Sequence, residues 1–252
     1  MIGISCTQFA TEDPHEILNR VSKKFLHWEI FSEWKHDVVK LSGSFKEMIS
    51  PYDLKYSIHA PITDINIAAL NDRVRENAVA EMVRTLEHAN KMDVGTVTIH
   101  PGVYSMVLSD VKERSISLSK DSMKVIDKAA AEYGVTAAIE NMPSFHILMG
   151  QTADQLLELI DGTDLSICFD IGHANTVGDI REFINMFSDR IVNVHIHDNN
   201  GDRDAHMTIG DGKIDFAPVI RKLGNYKGNY IIESRSFESA IESKRILERL
   251  LL

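Results

Sequence analysis

An α/β fold of the (β/α)8 barrel type is predicted by three features of this chain. Eight short apolar, β-branched runs alternate with stretches of helical periodicity along the 252 residues, and roughly 250 residues is the usual length of such a barrel. Metal-competent side chains also stand at, or just after, the ends of these runs. A closed barrel gathers its strand ends around one mouth, whereas a doubly wound open sheet spreads them along a line.

In chain order the predicted strands are Ile2 to Ser5, Leu26 to Ile30, Lys55 to His59, Thr96 to His100, Val135 to Glu140, Ser166 to Asp170, Ile191 to His197 and Asn229 to Glu233. Each is rich in β-branched or apolar residues. The clearest helix runs from Asp72 to Met92, where Val74, Ala78, Met82, Leu86 and Ala89 recur at helical spacing. A second long helix spans Asp110 to Tyr133, with Gly134 as its stop. Thr152 to Ile160, Asp179 to Phe187, Phe216 to Leu223 and Ser236 to Leu251 continue the alternation, with Asp161-Gly162 and Gly224-Asn225 as turns. The segment between the second and third strands is short and weakly periodic. No linker or low-complexity tract interrupts the chain, which predicts a single domain over residues 1–252.

Composition narrows the class. Hydrophobic residues make up 44% and charged residues 25%, which excludes a disordered chain. The start, MIGISCTQFATEDP, lacks a basic stretch and runs quickly into acidic residues, so it does not read as a secretion signal. No segment approaches the roughly 18 apolar residues of a membrane span. Cys6 and Cys168 lie in apolar runs and read as buried thiols, so a reducing cytoplasm without disulfides is expected. A net charge of −10 disfavours a surface devoted to nucleic acid.

The candidate metal ligands are His59, His100, Glu140, Asp170, His173, His195, Asp204, His206 and Glu233. Imidazole nitrogen and carboxylate oxygen together suit zinc, manganese or iron(II). A lone histidine at a strand end is more often a hydrogen-bonded core or loop residue. Five histidines and four carboxylates at six successive strand ends make independent accident a poor explanation. A carboxylate buried at a barrel rim is also costly without a cation or hydrogen bonds. His197 and Asp198, in HIHDNN, are read as holding a ligand or substrate from behind, with Arg203 beside them. Gly210-Asp211-Gly212 could bring backbone amides towards an anion, but a lone Gly-x-Gly is a weak signal and a plain turn is the favoured reading. Glu29, ending the second strand, is open between substrate contact and a surface ion pair.

The segments HAPITDINIAALN, TIHPG, AIENMP, CFDIGHANT, HIHDNNGDRDAHMTIGDGKIDF and IIES resemble the xylose isomerase-like TIM barrel superfamily over nearly the whole of Ile2 to Glu233. That superfamily includes sugar-phosphate isomerases and epimerases as well as endonuclease IV. The resemblance to endonuclease IV implies that the nine residues above hold three zinc ions for cleavage beside an abasic site. The resemblance to the epimerases implies one divalent ion on Glu140, Asp170, His195 and Glu233, the two glutamates serving as acid and base.

Two departures weigh against the nuclease. Ile62 stands where endonuclease IV tends to carry an aromatic, and DIGHANT replaces its DTCHAF-like run. Arg203, Lys213 and Arg235 are the cations near the predicted strand ends, interleaved with Asp198, Asp202 and Asp211, which is thin for phosphate neutralisation along a duplex. The expectation is therefore a zinc- or manganese-dependent isomerase or epimerase, with one to three ions, acting on a small sugar or sugar phosphate through an enediolate. An abasic-site endonuclease on damaged DNA is the alternative, and no membrane partner is expected. Whichever holds, at least six of the nine candidate ligands should converge on one cluster.

Overall fold

In the computed structural model, which describes residues 1–105, 108, 111–224 and 226–252, eight parallel strands close into one barrel in the order β1 to β8, with β8 returning to β1. The strands are β1 (Ile2–Ser5), β2 (His27–Phe31), β3 (Lys55–His59), β4 (Thr96–Ile99), β5 (Thr136–Glu140), β6 (Ser166–Asp170), β7 (Ile191–Ile196) and β8 (Asn229–Glu233). The predicted strands thus hold to within a residue or so. β4 and β7 end one residue early, which leaves His100 and His197 just beyond their strands. Proline explains several exits: Pro61, Pro101 and Pro143 follow β3, β4 and β5, and proline has no amide to donate to a ladder.

The outer layer contains α1 (Pro14–Val21), α2 (Val38–Leu41), α3 (Phe45–Ile49), α4 (Asp72–Lys91), α5 (Lys112–Tyr133), α6 (Ala153–Ile160), α7 (Ile171–Val177), α8 (Ile180–Phe187), α9 (Phe216–Leu223) and α10 (Phe237–Leu250). Thr152 and Ser236, predicted inside their helices, are N-caps whose hydroxyls accept the amides of Gln155 and Ser239. Gly134 takes φ +65° and caps α5 as predicted. The predicted helix start at Asp110 and the turn residue Asn225 lie outside the described residues. In α4 the buried stripe is Ala78, Met82, Leu86 and Ala89, whereas Val74 is exposed. The weakly periodic segment after β2 forms two short helices, α2 and α3, rather than one.

α7 departs from the sequence reading, which took CFDIGHAN as a strand exit. Asp170 ends β6 and also caps α7, accepting the His173 amide at 2.7 Å, and Gly178 closes the helix at φ +74°.

The barrel interior is filled from the bottom by close packing. Gly3 pairs with His27 on one side and Ile231 on the other. A Cβ there would lie 2.7 Å from Ile231 Cδ1 and 2.8 Å from His27 Cβ. Above this layer the interior turns polar, with Glu29, Ser57, Thr98 and Asn193 all buried. No helix among the described residues is long and apolar enough to cross a membrane.

Gly3→Ala is expected to destabilise the protein by about 1–3 kcal/mol, the usual cost of overpacking, read from denaturant unfolding. An unchanged midpoint would mean that the bottom layer yields without strain.

Candidate metal centre

Strand register brings the candidate side chains together. Asp170 pairs with His195 across β6 and β7, and Ser5 pairs with Glu233 across β1 and β8. At the centre stands His195, fully buried. Its Nδ1 lies 2.8 Å from Glu140 Oε1, 3.1 Å from Glu233 Oε1 and 4.0 Å from Asp170 Oδ2. Three carboxylates therefore converge on one imidazole nitrogen, which can satisfy only one of them with a proton. Asp170 Oδ2 is buried without a hydrogen-bond partner. A divalent cation fits such a donor set better than any rearrangement of protons does.

All nine candidate ligands fall into groups that could hold a metal: His59, His100 and Glu140; Glu140, Asp170, His195 and Glu233; and His173, Asp204 and His206 joined by His197. Glu140 belongs to the first two groups. Its Oε2 lies 3.2 Å from His59 Nε2 and 2.9 Å from His100 Nε2. Burial opposes ionisation of Glu140, but the His195 charge and the hydrogen bonds from His100, His195 and His59 outweigh it and hold the carboxyl well below its usual range. Cys168 Sγ also lies near Glu140 and His195, closer than the sequence suggested. Burial pushes its thiol up to about 12, so it stays neutral beneath the site.

Backbone carbonyls select which ring nitrogen is presented. His59 Nδ1 donates to its neighbour Ala60 O at 2.9 Å, and His173 Nδ1 donates to Asn141 O at 2.8 Å. A carbonyl only accepts, so each ring carries its proton on Nδ1 and presents Nε2. Asn141 is itself fixed, since its side chain bonds the Asp170 amide and carbonyl at 2.8 and 2.9 Å.

Glu29 resolves differently from both sequence options. It is fully buried, and Oε1 lies 2.6 Å from His195 Nε2. Its Oε2 accepts from Ser57 Oγ and Asn193 Nδ2, each at 2.7 Å. Burial works against the charge, but His195, His59 and Ser57 prevail and lower its pKa to about 2. Glu29 thus clamps His195 from below, on the face opposite Glu140. The signal in the sequence was parity: Glu29 alternates with His27 and Phe31 in a strand buried on both faces, where an ionised group must be partnered.

Of the residues expected to stand behind the site, Asp198 has another task. Its Oδ2 accepts the Gly210 and Gly212 amides at 2.9 and 3.0 Å, and its Oδ1 accepts the Asn199 and Ile214 amides at 2.8 and 3.2 Å. Gly210-Asp211-Gly212 is thus a turn whose two glycine amides donate to this internal carboxylate, while the Asp211 amide donates to Thr208 O at 3.0 Å. Asp198 therefore folds the loop between β7 and α9 instead of touching substrate. Arg203 is exposed on that loop, and among the described residues lining the mouth it is absent.

The mouth encloses a cavity of about 590 Å³. Glu140, Glu233, His59 and His206 face it from the metal side; Phe31, Ile62, Met142 and Leu148 form an apolar wall; Arg235 is the one Lys or Arg among its described lining residues.

With this geometry the comparisons agree. Residues 25–250 match the family described as the xylose isomerase-like TIM barrel, and the chain belongs to that family. An uncharacterized protein of Methanocaldococcus jannaschii is 34% identical over 259 residues, covering 99% of this chain and 88% of the relative. A solved structure described as a D-tagatose 3-epimerase-like protein superposes with a TM-score of 0.93 at 33% identity, over 99% of this chain and 96% of the other. A probable endonuclease 4 of Acholeplasma laidlawii is 26% identical over 184 residues, 66% of this chain and 61% of the relative.

Two outcomes are expected. Glu29→Gln should weaken divalent-metal binding about 10- to 100-fold, the usual effect of losing a partner behind a ligand; calorimetric affinity equal to wild type would remove Glu29 from the site. Asp198→Asn should cost on the order of 2–3 kcal/mol of stability, since bonds to a charged acceptor are the stronger kind. An unfolding midpoint within error of wild type would contradict the role given to this carboxylate.

Proposed function

We propose that this chain, with residues 1–252 acting as one domain, is a divalent-metal-dependent isomerase or epimerase of a small sugar or sugar phosphate. The observation that carries the reading is the pair Glu140 and Glu233, both within 3.1 Å of His195 Nδ1 on the floor of a cavity with an apolar wall and, among its described lining residues, one Arg and no Lys. Three carboxylates, Glu140, Asp170 and Glu233, carry −3; one ion of +2 leaves −1, which suits a neutral polyol better than a polyanion. A zinc or manganese ion held by these residues with His195 would supply compensation for negative charge developing on a substrate oxygen.

The chain's own groups do the proton work. Glu233 is the more accessible of the two carboxylates, 13% exposed against 1% for Glu140. One of the pair removes the proton beside the carbonyl, and the other returns a proton to the neighbouring carbon or the opposite face of the enediolate. Phe31, Ile62, Met142 and Leu148 keep water from competing for it. Arg235 is placed to take a phosphate where the substrate carries one.

A second reading rests on a separate observation. The full set of nine residues forms three ligand groups, more than proton transfer needs. Three ions against the four carboxylates of those groups leave +2, which suits activation of water against a phosphodiester.

One paired assay separates them. Zinc- and manganese-loaded protein is tested for solvent deuterium exchange into ketoses and ketose phosphates, and for nicking of a duplex bearing an abasic analogue. Exchange is expected, falling roughly 10²- to 10⁴-fold in Glu140→Gln and Glu233→Gln. Nicking that disappears in His100→Ala and His206→Ala, with no exchange into any sugar, would overturn the isomerase reading in favour of hydrolysis.

A further inference from the structure

A chain of polar contacts runs from the metal group down into the barrel and ends at His27, a residue with no part in the proton transfer proposed above. His27, Glu29 and Phe31 alternate along β2 and share one face, and Ser57 on β3 pairs with Glu29. His195 Nε2 lies 2.6 Å from Glu29 Oε1. Ser57 Oγ donates to Glu29 Oε2 at 2.7 Å, and His27 Nε2 lies 2.9 Å from Ser57 Oγ. All four residues are buried. Phe31 lines the mouth, and His27 stands roughly 13 Å below it along the strand.

The direction of each bond is forced. Glu29 is ionised, its pKa held at about 2, and a carboxylate only accepts. Its two oxygens therefore draw protons from His195 Nε2 and from the Ser57 hydroxyl. Asn193 Nδ2 also lies 3.2 Å from His195 Nε2, but its two hydrogens go to Glu29 Oε2 at 2.7 Å and Thr98 Oγ1 at 3.3 Å, so the proton between Nε2 and Glu29 belongs to the ring. With its one proton committed to Glu29, Ser57 can only accept from His27. Burial lowers the His27 pKa to about 4, which leaves a neutral ring with a single N–H near pH 7. That hydrogen is on Nε2. The other tautomer would strand it on Nδ1, which is buried without a partner.

We propose that His27 is a positioning residue for the metal-binding imidazole: through Ser57 and Glu29 it keeps a His195 proton on Nε2 and so leaves Nδ1 to the ion that Glu140, Asp170 and Glu233 would share. A serine hydroxyl rotates freely unless its neighbours fix it. The His27 donor occupies the oxygen's lone-pair side and leaves the hydroxyl hydrogen one favourable direction, towards Glu29. Linked hydrogen bonds of this kind also strengthen one another. Gly3 makes room for the ring, since a Cβ there would lie 2.8 Å from His27 Cβ. The inference rests on His195 serving a metal and not on the isomerase reading.

The test combines nitrogen NMR of the imidazoles with zinc affinity, measured by competition between metal-free protein and a chromophoric chelator. Wild type is expected to carry the His27 proton on Nε2 alone, and a His195 proton on Nε2 both with and without zinc. His27→Leu should bind zinc about three- to tenfold more weakly, the size of one neutral hydrogen bond. His27→Gln, whose amide nitrogen can donate to Ser57, should return towards wild type. Because the links act in series, His27→Leu should cause no further loss in a Ser57→Ala background; a histidine that merely fills space would lower stability in either background and leave zinc affinity alone. Should His27→Leu fail to fold, the wild-type tautomers and His27→Gln carry the test. A His27 proton on Nδ1, wild-type zinc affinity in folded His27→Leu, or losses that add in the double variant would each overturn the proposal. The predicted loss of zinc affinity in a protein that exchanges deuterium into no sugar would support this role for His27 while contradicting the isomerase reading.

Discussion

Everything at the mouth of this barrel depends on how four carboxylates are kept ionised within a few ångströms of one another. Glu29, Glu140 and Asp170 are buried, and Glu233 is exposed only at its edge. Glu29 and Asp170 are held at a pKa of about 2, each against the opposing effect of burial, by His195 and by His173 and His197 respectively. Repulsion among these groups must be offset, and imidazoles alone do so imperfectly: Asp170 Oδ2 and Asp204 Oδ1 stay without hydrogen bonds. The arrangement is what a divalent cation would stabilise and what a metal-free core would avoid.

Around that constraint the rest of the fold is arranged. Strand register sets the carboxylates opposite one another, backbone carbonyls of Ala60 and Asn141 fix the presented nitrogen of two histidines, and Glu29 holds His195 from the barrel interior. In the polar layer Ser57 and Asn193 partner Glu29, and Asn193 also donates to Thr98 Oγ1 at 3.3 Å. A barrel interior of branched apolar residues would leave that carboxylate buried without a partner. On the other side Asp198 gathers four amides to shape the loop that carries Asp204 and His206.

Much of this was legible in the sequence, because strand ends in a barrel must meet and because the ligand types stand at those ends. The strands were readable from their β-branched runs, and proline marked several of their exits. What escaped were contacts between residues far apart in the chain. Glu29 and His195 are 166 positions apart, and nothing near Glu29 reveals which side chain faces it across the barrel. α7 was missed because Asp170 serves two elements at once, ending a strand and capping a helix. His197 was read as standing behind a ligand because it shares a strand face with His195, but β7 stops at Ile196, and the turn beyond delivers His197 to a different group. Asp198 escaped in the same way, since its carboxylate accepts the amides of a loop whose path the local sequence does not fix.

The central claim is that the barrel mouth is a preassembled divalent-metal site. Crystals grown with zinc, with data collected on both sides of the zinc absorption edge, test it most directly. The account predicts an anomalous peak about 2.0–2.2 Å from Glu140, Asp170, His195 and Glu233, with those side chains close to their present positions. Full zinc occupancy elsewhere on the protein, with the four residues empty and still clustered, would contradict it.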